Sequence, residues 1–280
     1  MYRELASGPI GVKVAFAEEA RLAAAHGFQA VSLEVSTIRE LGAGQVKEIL
    51  AKHGLRAGTA GVPVNFRGDE ATFKEGLADF PAAASLLAEV GCRRILTWIM
   101  PFHETLTYTE NFQQLRRRTA SLCEVMADHG IRYGLEFVGP ATLRAGKPNP
   151  FIHDIDGMLE LIGAVGADNL GFLLDAFHWF TTGGDPADLA KLSDALVIGV
   201  HVNDAIAGRT ANEQLDRERA MPGETGVIDM RTFMRALDKM AYSGPVIVEP
   251  FSDRIRRLPA EEAVAETAAS LDKIWAVAGL

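Results

Sequence analysis

The stretch "GFLLDAFHWF", residues 171–180, begins as a buried apolar strand and then sets Asp175 and His178 three positions apart among bulky hydrophobes. Burying a carboxylate or an imidazole without a partner is expensive, so the segment raises the question of what those two groups face. Similar apolar runs recur along the chain: "IGVKV" (10–14), "QAVSLEV" (29–35), "LRAGTAGV" (55–62), "RILTWIM" (94–100), "IRYGLEFV" (131–138), "LGFLLDAF" (170–177), "ALVIGVHVN" (195–203) and "PVIVEPF" (245–251). Longer amphipathic stretches lie between them, the pattern of repeated strand and helix units. Eight such strands close a parallel sheet, so the pattern predicts a (β/α)8 TIM barrel.

The intervening segments carry helix signals. "FAEEARLAAAHG" ends in Gly27, "FPAAASLLAEVG" in Gly91 and "NFQQLRRRTASLCEVMADHG" in Gly130, each a C-terminal cap. "DIDGMLELIGAVG", "DMRTFMRALDKMAYSG" and "PAEEAVAETAASLDKIWAVAG" start on acidic residues and carry apolar faces, as helices packed outside a sheet do. An open doubly wound sheet is the alternative, but no GxGxxG loop follows the first strand.

With 280 residues, 48% of them hydrophobic, the chain can bury a large core, and no linker divides it; one barrel domain over residues 1–280 is expected. The net charge of −9 offers no broad basic footprint for nucleic acid. No apolar run reaches membrane-spanning length, and the start "MYRELASGPIGVKV" lacks a signal core. Cys92 and Cys123 suggest no disulfide framework. A cytoplasmic protein is expected.

In a TIM barrel, catalytic groups stand at the C-terminal ends of the strands. Four consecutive late strands put a metal-capable residue there: Glu136, Asp175, His201 and Glu249. Strand alternation puts Gly134 with Glu136, Leu173 with Asp175, Gly199 with His201 and Ile247 with Glu249 inside, and turns Val200, Val202, Val246 and Val248 towards the helices. Carboxylates this close repel one another unless a cation lies between them. Three carboxylates and one imidazole form a hard ligand set suited to Mn²⁺ or Mg²⁺, with Co²⁺ and Zn²⁺ also able to bind. Chelation of a hydroxy-ketone there would polarise its carbonyl while a flanking carboxylate removes the adjacent proton.

Over "GLEFVGP", "NLGFLLDAFHWF", "GVHVNDA", "RAMPGETGVID" and "VIVEPF", the sequence resembles the xylose isomerase-like barrel superfamily of sugar isomerases and epimerases, and within it the inosose isomerase branch. The resemblance is densest from Tyr133 onward; the first half matches only in its rhythm of strands and helices. It implies that Glu136, Asp175, His201 and Glu249 are the metal ligands, and that Glu136 and Glu249 exchange protons with an enediolate. It further implies that His178 and Arg219 bind substrate oxygens, Arg209 being the competitor for the second role. "MPGETGVID" has one more residue than the family's PGxGxID. Relatives of this kind are often homo-oligomers, dimers or tetramers, though no interface is legible in the chain.

The expected partner is therefore a small sugar or cyclitol, with neither nucleic acid nor membrane. Trp98 and Trp179 are candidates to stack on a sugar ring or to cap the barrel; Glu34, at the end of the second strand, and His103 are weaker site candidates. A dehydratase of the inosose type would use the same site for a lyase outcome, and a binding relic would keep the ligands without chemistry. An apurinic endonuclease shares the barrel but needs further metal ligands: "AGVPVN" holds no histidine, and Asp229 is followed by "MRT" where that branch has DxH.

Overall fold

The protein is described over residues 1–280 by a computed structural model. Eight parallel strands form a closed barrel in strict chain order. They are Tyr2–Leu5, Ala30–Leu33, Arg56–Gly61, Arg94–Trp98, Arg132–Glu136, Leu170–Asp175, Val197–Val202 and Pro245–Val248. The first pairs with the eighth, Tyr2 opposite Pro245, which closes the ring. The TIM barrel predicted from the alternating runs is the fold observed.

The first strand is not where the apolar pattern put it. "IGVKV" is turn and loop, with Gly11 at φ +76°, and the strand is Tyr2–Leu5. That segment hides its role because it carries a carboxylate to the barrel interior: Glu4 is 1% exposed, opposite Ile247 on one neighbouring strand and Ala30 on the other. Ile10 and Val12 are buried all the same, as loop residues.

Among the helices, Phe16–Ala25, Tyr108–Asp128, Ile155–Val165, Met230–Lys239 and Ala260–Ala278 fall where expected. The helix leading to Gly91 starts earlier, at Glu70, because the Asp69 side chain caps it by accepting from the Thr72 N–H at 2.8 Å. Pro81, at the start of the quoted stretch, lies inside it. No helix is long and apolar enough to cross a membrane.

The predicted inward and outward residues of the last four strands fall as expected, and alternation breaks only at Ile198, where a register shift between Phe172 and Leu173 leaves one extra residue on the seventh strand. Val200, Val202, Val246 and Val248 join the large core between sheet and helices. Leu96, Leu173, Ile198 and Ile247 form a separate small cluster inside the barrel. Glycines make room for it: a Cβ on Gly134 would lie 2.7 Å from Leu96, and one on Gly199 2.8 Å from the same side chain. This apolar floor supports the polar side chains above it, and truncating one of its leucines to alanine should cost about 2–5 kcal/mol.

Candidate active site

Sheet register brings the four late-strand residues together. Glu136 ends the fifth strand and Asp175 ends the sixth, directly opposite His201 on the seventh. Glu249 follows the eighth strand and donates its N–H to the Val202 carbonyl at 3.1 Å. One ligand-capable atom from each of Glu136, Asp175, His201 and Glu249 lies within 4.8 Å of all the others.

The cluster is left incomplete by its own hydrogen bonds. His201 Nδ1 stands 3.4 Å from Glu136 Oε1, 3.4 Å from Glu249 Oε2 and 3.8 Å from Asp175 Oδ2. Yet both His201 Nδ1 and Glu136 Oε1 are buried with no hydrogen-bond partner. Buried polar atoms are rarely orphaned. Ligands about 2.1 Å from a common small divalent ion stand about 3.0–4.2 Å apart, which matches these separations. Hard oxygens, one imidazole nitrogen and two orphaned atoms aimed inward make a donor set that fits such an ion.

Asp175 has a second task, visible only in three dimensions. His178 is not in a loop but in the short helix Ala176–Thr181, and Asp175 caps that helix, accepting from Phe177 N–H at 2.6 Å and His178 N–H at 3.2 Å. The backbone therefore turns at the carboxylate, which carries His178 back over the cluster. His178 Nδ1 accepts from the Gly139 N–H at 3.2 Å, which leaves Nε2 to carry the ring proton. Nε2 faces Glu136 Oε2 at 3.7 Å and Asp216 Oδ1 at 3.8 Å.

Arg219 supplies a fixed cation. Its Nη1 donates to Asp175 Oδ2 at 2.9 Å and Glu249 Oε2 at 3.2 Å, and its Nη2 to Asp216 Oδ1 at 2.9 Å. The guanidinium lies between the rings of Phe177 and Phe251, 4.6 and 4.7 Å from their centroids. Phe251 adopts φ +39°, an uncommon backbone state for a side-chain-bearing residue, and thereby presents its ring to Arg219. Arg209 is elsewhere, paired with Glu218 at 2.7 Å.

These neighbours decide the ionisation of the cluster. Burial works to raise the Asp175 pKa, but the Arg219 charge, aided by His201 and the Asn203 hydrogen bond, outweighs it and brings the value down to about 2. Burial likewise opposes ionisation of Glu136, and His178 and His201 overcome it, so its pKa is lowered. His201 is pushed the other way: burial disfavours its charged form, yet Glu249 and Glu136 raise its pKa well above the usual value. The site is a set of charges that hold one another in place.

The loop bearing Arg219 is fixed by Asp204. The Asp204 and Ala220 backbones exchange two hydrogen bonds of 2.8 Å. The Asp204 carboxylate accepts from the N–H groups of Ala205, Thr225, Gly226 and Ile228 at 2.8–3.0 Å. Within the segment so held, Glu224 accepts from the Met221 N–H at 2.9 Å.

Of the other expected residues, Trp98 is 41% exposed and lines the same cavity of about 180 Å³ as Glu136, His178, Arg219 and Glu249. Arg67 stacks on its ring at 3.9 Å and donates to its carbonyl at 2.6 Å, which fixes the indole at the rim. Trp179 packs away from the mouth against Phe233 and donates to the Asp185 carbonyl. Glu34 is exposed on a larger neighbouring cavity of about 590 Å³ that also reaches His201. His103 caps its own loop, accepting from Thr105 and Leu106 N–H, and Asp229 caps the helix Met230–Lys239.

Two site residues escaped the sequence reading. Asn203 donates to both Asp175 oxygens, at 3.2 and 3.1 Å, and to the Glu249 carbonyl at 3.3 Å. Its place two positions after His201 was the available signal. Asp216 was hidden in the charged run "EQLDRERA", which carries no period.

A closed barrel whose strand ends gather three carboxylates and an imidazole defines a class of TIM barrels with a cation-capable mouth. The chain belongs to the xylose isomerase-like TIM barrel family, whose model matches residues 20–274. It is 26% identical over 196 residues to an inosose isomerase of Halalkalibacterium halodurans, covering 70% of this chain and just under two thirds, 66%, of that one. A ketose 3-epimerase of Arthrobacter globiformis is 25% identical over 221 residues, covering 75% of this chain and 68% of that one. Among solved structures, a xylose isomerase domain protein from Alicyclobacillus acidocaldarius superposes over 100% of both chains with a TM-score of 0.88 at 27% identity.

Proposed function

We propose that the chain is a single-domain, metal-dependent isomerase or epimerase that moves a proton alpha to the carbonyl of a keto-sugar or keto-cyclitol in the cytoplasm. Glu136, Asp175, His201 and Glu249 would hold the ion, Mn²⁺ first among the divalent candidates because three of the four donors are hard oxygens. When bound, it supplies Lewis acidity that polarises a carbonyl and acidifies the neighbouring C–H. The single observation that carries this reading is the convergence of the four side chains around two orphaned buried atoms, Glu136 Oε1 and His201 Nδ1.

The chain's own groups then have distinct tasks. Glu136 and Glu249 each bring a carboxylate from a different strand to the mouth, so one takes the substrate proton and the other returns it. His178 Nε2–H and the Arg219 guanidinium face the same cavity and orient substrate oxygens. Trp98, Met100, Val138, Leu143 and Phe251 line that cavity with apolar surface, which limits the water able to compete for the proton. The inosose isomerase and ketose 3-epimerase relatives support the substrate class.

The test is solvent-deuterium incorporation into inososes, ketohexoses and ketopentoses by the Mn²⁺-loaded protein. Exchange at the carbon next to the carbonyl, abolished by Glu136→Gln and by Glu249→Gln in folded protein, is the expected result. Normal exchange in both variants would sink the assignment, and loss of one water from the product would replace isomerase by lyase.

A further inference from the structure

At the other end of the barrel, where the strands begin, lies a cavity of about 410 Å³ remote from the carboxylate cluster. It is lined by twelve residues from the starts of the first, third and fourth strands and the helix ends beside them. Four of these are cationic, Lys47, Arg56, Arg93 and Arg94, and none is acidic. In a chain of net charge −9 that concentration of one sign is unusual, and a concave surface focuses its field.

The cations are poorly matched by the protein itself. Lys47 meets Glu89 at 3.7 Å, but both side chains are half exposed, so the pair is weak. Arg93 donates to the His129 carbonyl at a helix end. Arg56 has no carboxylate partner, and its guanidinium carbon lies 3.9 Å from the Tyr2 ring centroid, a cation–π contact. Arg94 Nε is buried with no hydrogen-bond partner. Behind the cavity wall Glu4 packs against Gly58; burial pushes its pKa up, and the Arg94 charge acts in the opposite direction.

We propose that this cavity binds a phosphate-class anion, held by Arg56, Arg93 and Arg94 with Lys47 at the rim. Guanidinium groups suit phosphoryl oxygens because each offers paired N–H donors in a fixed plane, and an oxyanion would satisfy the orphaned Arg94 N–H. The site is a second binding function, separate from the proton-transfer chemistry and independent of it.

The experiment is calorimetric titration of the full chain, at constant ionic strength, with inorganic phosphate in one arm and glucose 6-phosphate in the other. Saturable binding of one anion per chain is expected, weakened by about tenfold in Arg56→Gln/Arg93→Gln and unchanged in Arg116→Gln, which removes an exposed cation of the helix Tyr108–Asp128. Lys47→Gln, on an exposed helix surface, should give a smaller loss in the same direction. Tighter binding of glucose 6-phosphate would identify a phosphorylated metabolite as the source, and equal binding would identify free phosphate. Absence of saturable binding in the millimolar range, or binding that survives both sets of basic-cavity substitutions, would overturn the proposal. Because deuterium exchange at the carboxylate cluster is measured separately, either site can fail without the other.

Discussion

Arg219 Nη1 lies 2.9 Å from Asp175 Oδ2, and neither side chain is more than 1% exposed. A buried pair of this kind is costly to break from one side, because the remaining charge is left without compensation. Asp175→Asn should therefore destabilise the chelator-treated protein by about 3–5 kcal/mol at neutral pH. The pH dependence has a definite sign. The Asp175 pKa falls from 3.8 to about 2 on folding, so its contribution is full above the unfolded value and disappears as pH drops through the folded one. Urea denaturation should show wild type and variant converging between those values, and Asp175→Asn/Arg219→Met should recover part of the loss. A constant gap down to acid pH would mean the pair does not act as described.

Adding Mn²⁺ should raise the melting temperature of the wild type. At about a hundred times the dissociation constant, an ion binding only the folded state contributes about 2.7 kcal/mol. His201→Ala should lose most of this shift, since it removes the central nitrogen of the cluster. Calorimetry with and without metal decides the matter, and an equal shift in both proteins would place the ion elsewhere.

Asp204→Ala should free the loop that carries Arg219. The amides of Thr225, Gly226 and Ile228 each lose a carboxylate acceptor, and four donors lose a partner in all when Ala205 is included. Hydrogen exchange should accelerate at these positions while strand amides stay protected. The proposed proton exchange should slow with it, because a displacement of about 1 Å in a positioning group can cost on the order of a hundredfold. Unaltered exchange at those three amides would show that the loop is held by something else.

Glu4 gives a prediction of opposite sign to Asp175. Its carboxyl accepts from Ser32 Oγ, Thr59 N–H and Thr59 Oγ1 through Oε1, while Oε2 has no partner. Burial raises its pKa above 4.5 despite those donors. Between the unfolded and folded values the native state holds a proton that the unfolded chain has released, so stability falls as pH rises through that window. Glu4→Gln removes the titration. Melting curves from pH 4 upward, taken at about unit intervals, should slope downward for wild type relative to the variant, and parallel curves would contradict the assignment.

Much of this was legible in the chain because the barrel repeats a simple rule. Apolar runs at regular intervals located seven of the eight strands, and period-two alternation put Glu136, Asp175, His201 and Glu249 on the inner face. The first strand was missed for a physical reason: its interior residue is Glu4, whose partners Ser32 and Thr59 come from strands distant in sequence. Asp216 and the anchoring role of Asp204 were likewise invisible, since both depend on a loop returning across the mouth. The arginine that serves the site was readable by resemblance, but its contact with Asp175 was not.

The apolar layer of Leu96, Leu173, Ile198 and Ile247 stands between the two ends of the barrel, all four side chains at 8% exposure or less. It acts as a bulkhead. It lies between the carboxylates at one end and the arginines at the other, with no polar side chain in the layer to link them. Any influence of one end on the other must travel through the staves as small shifts in their tilt or register.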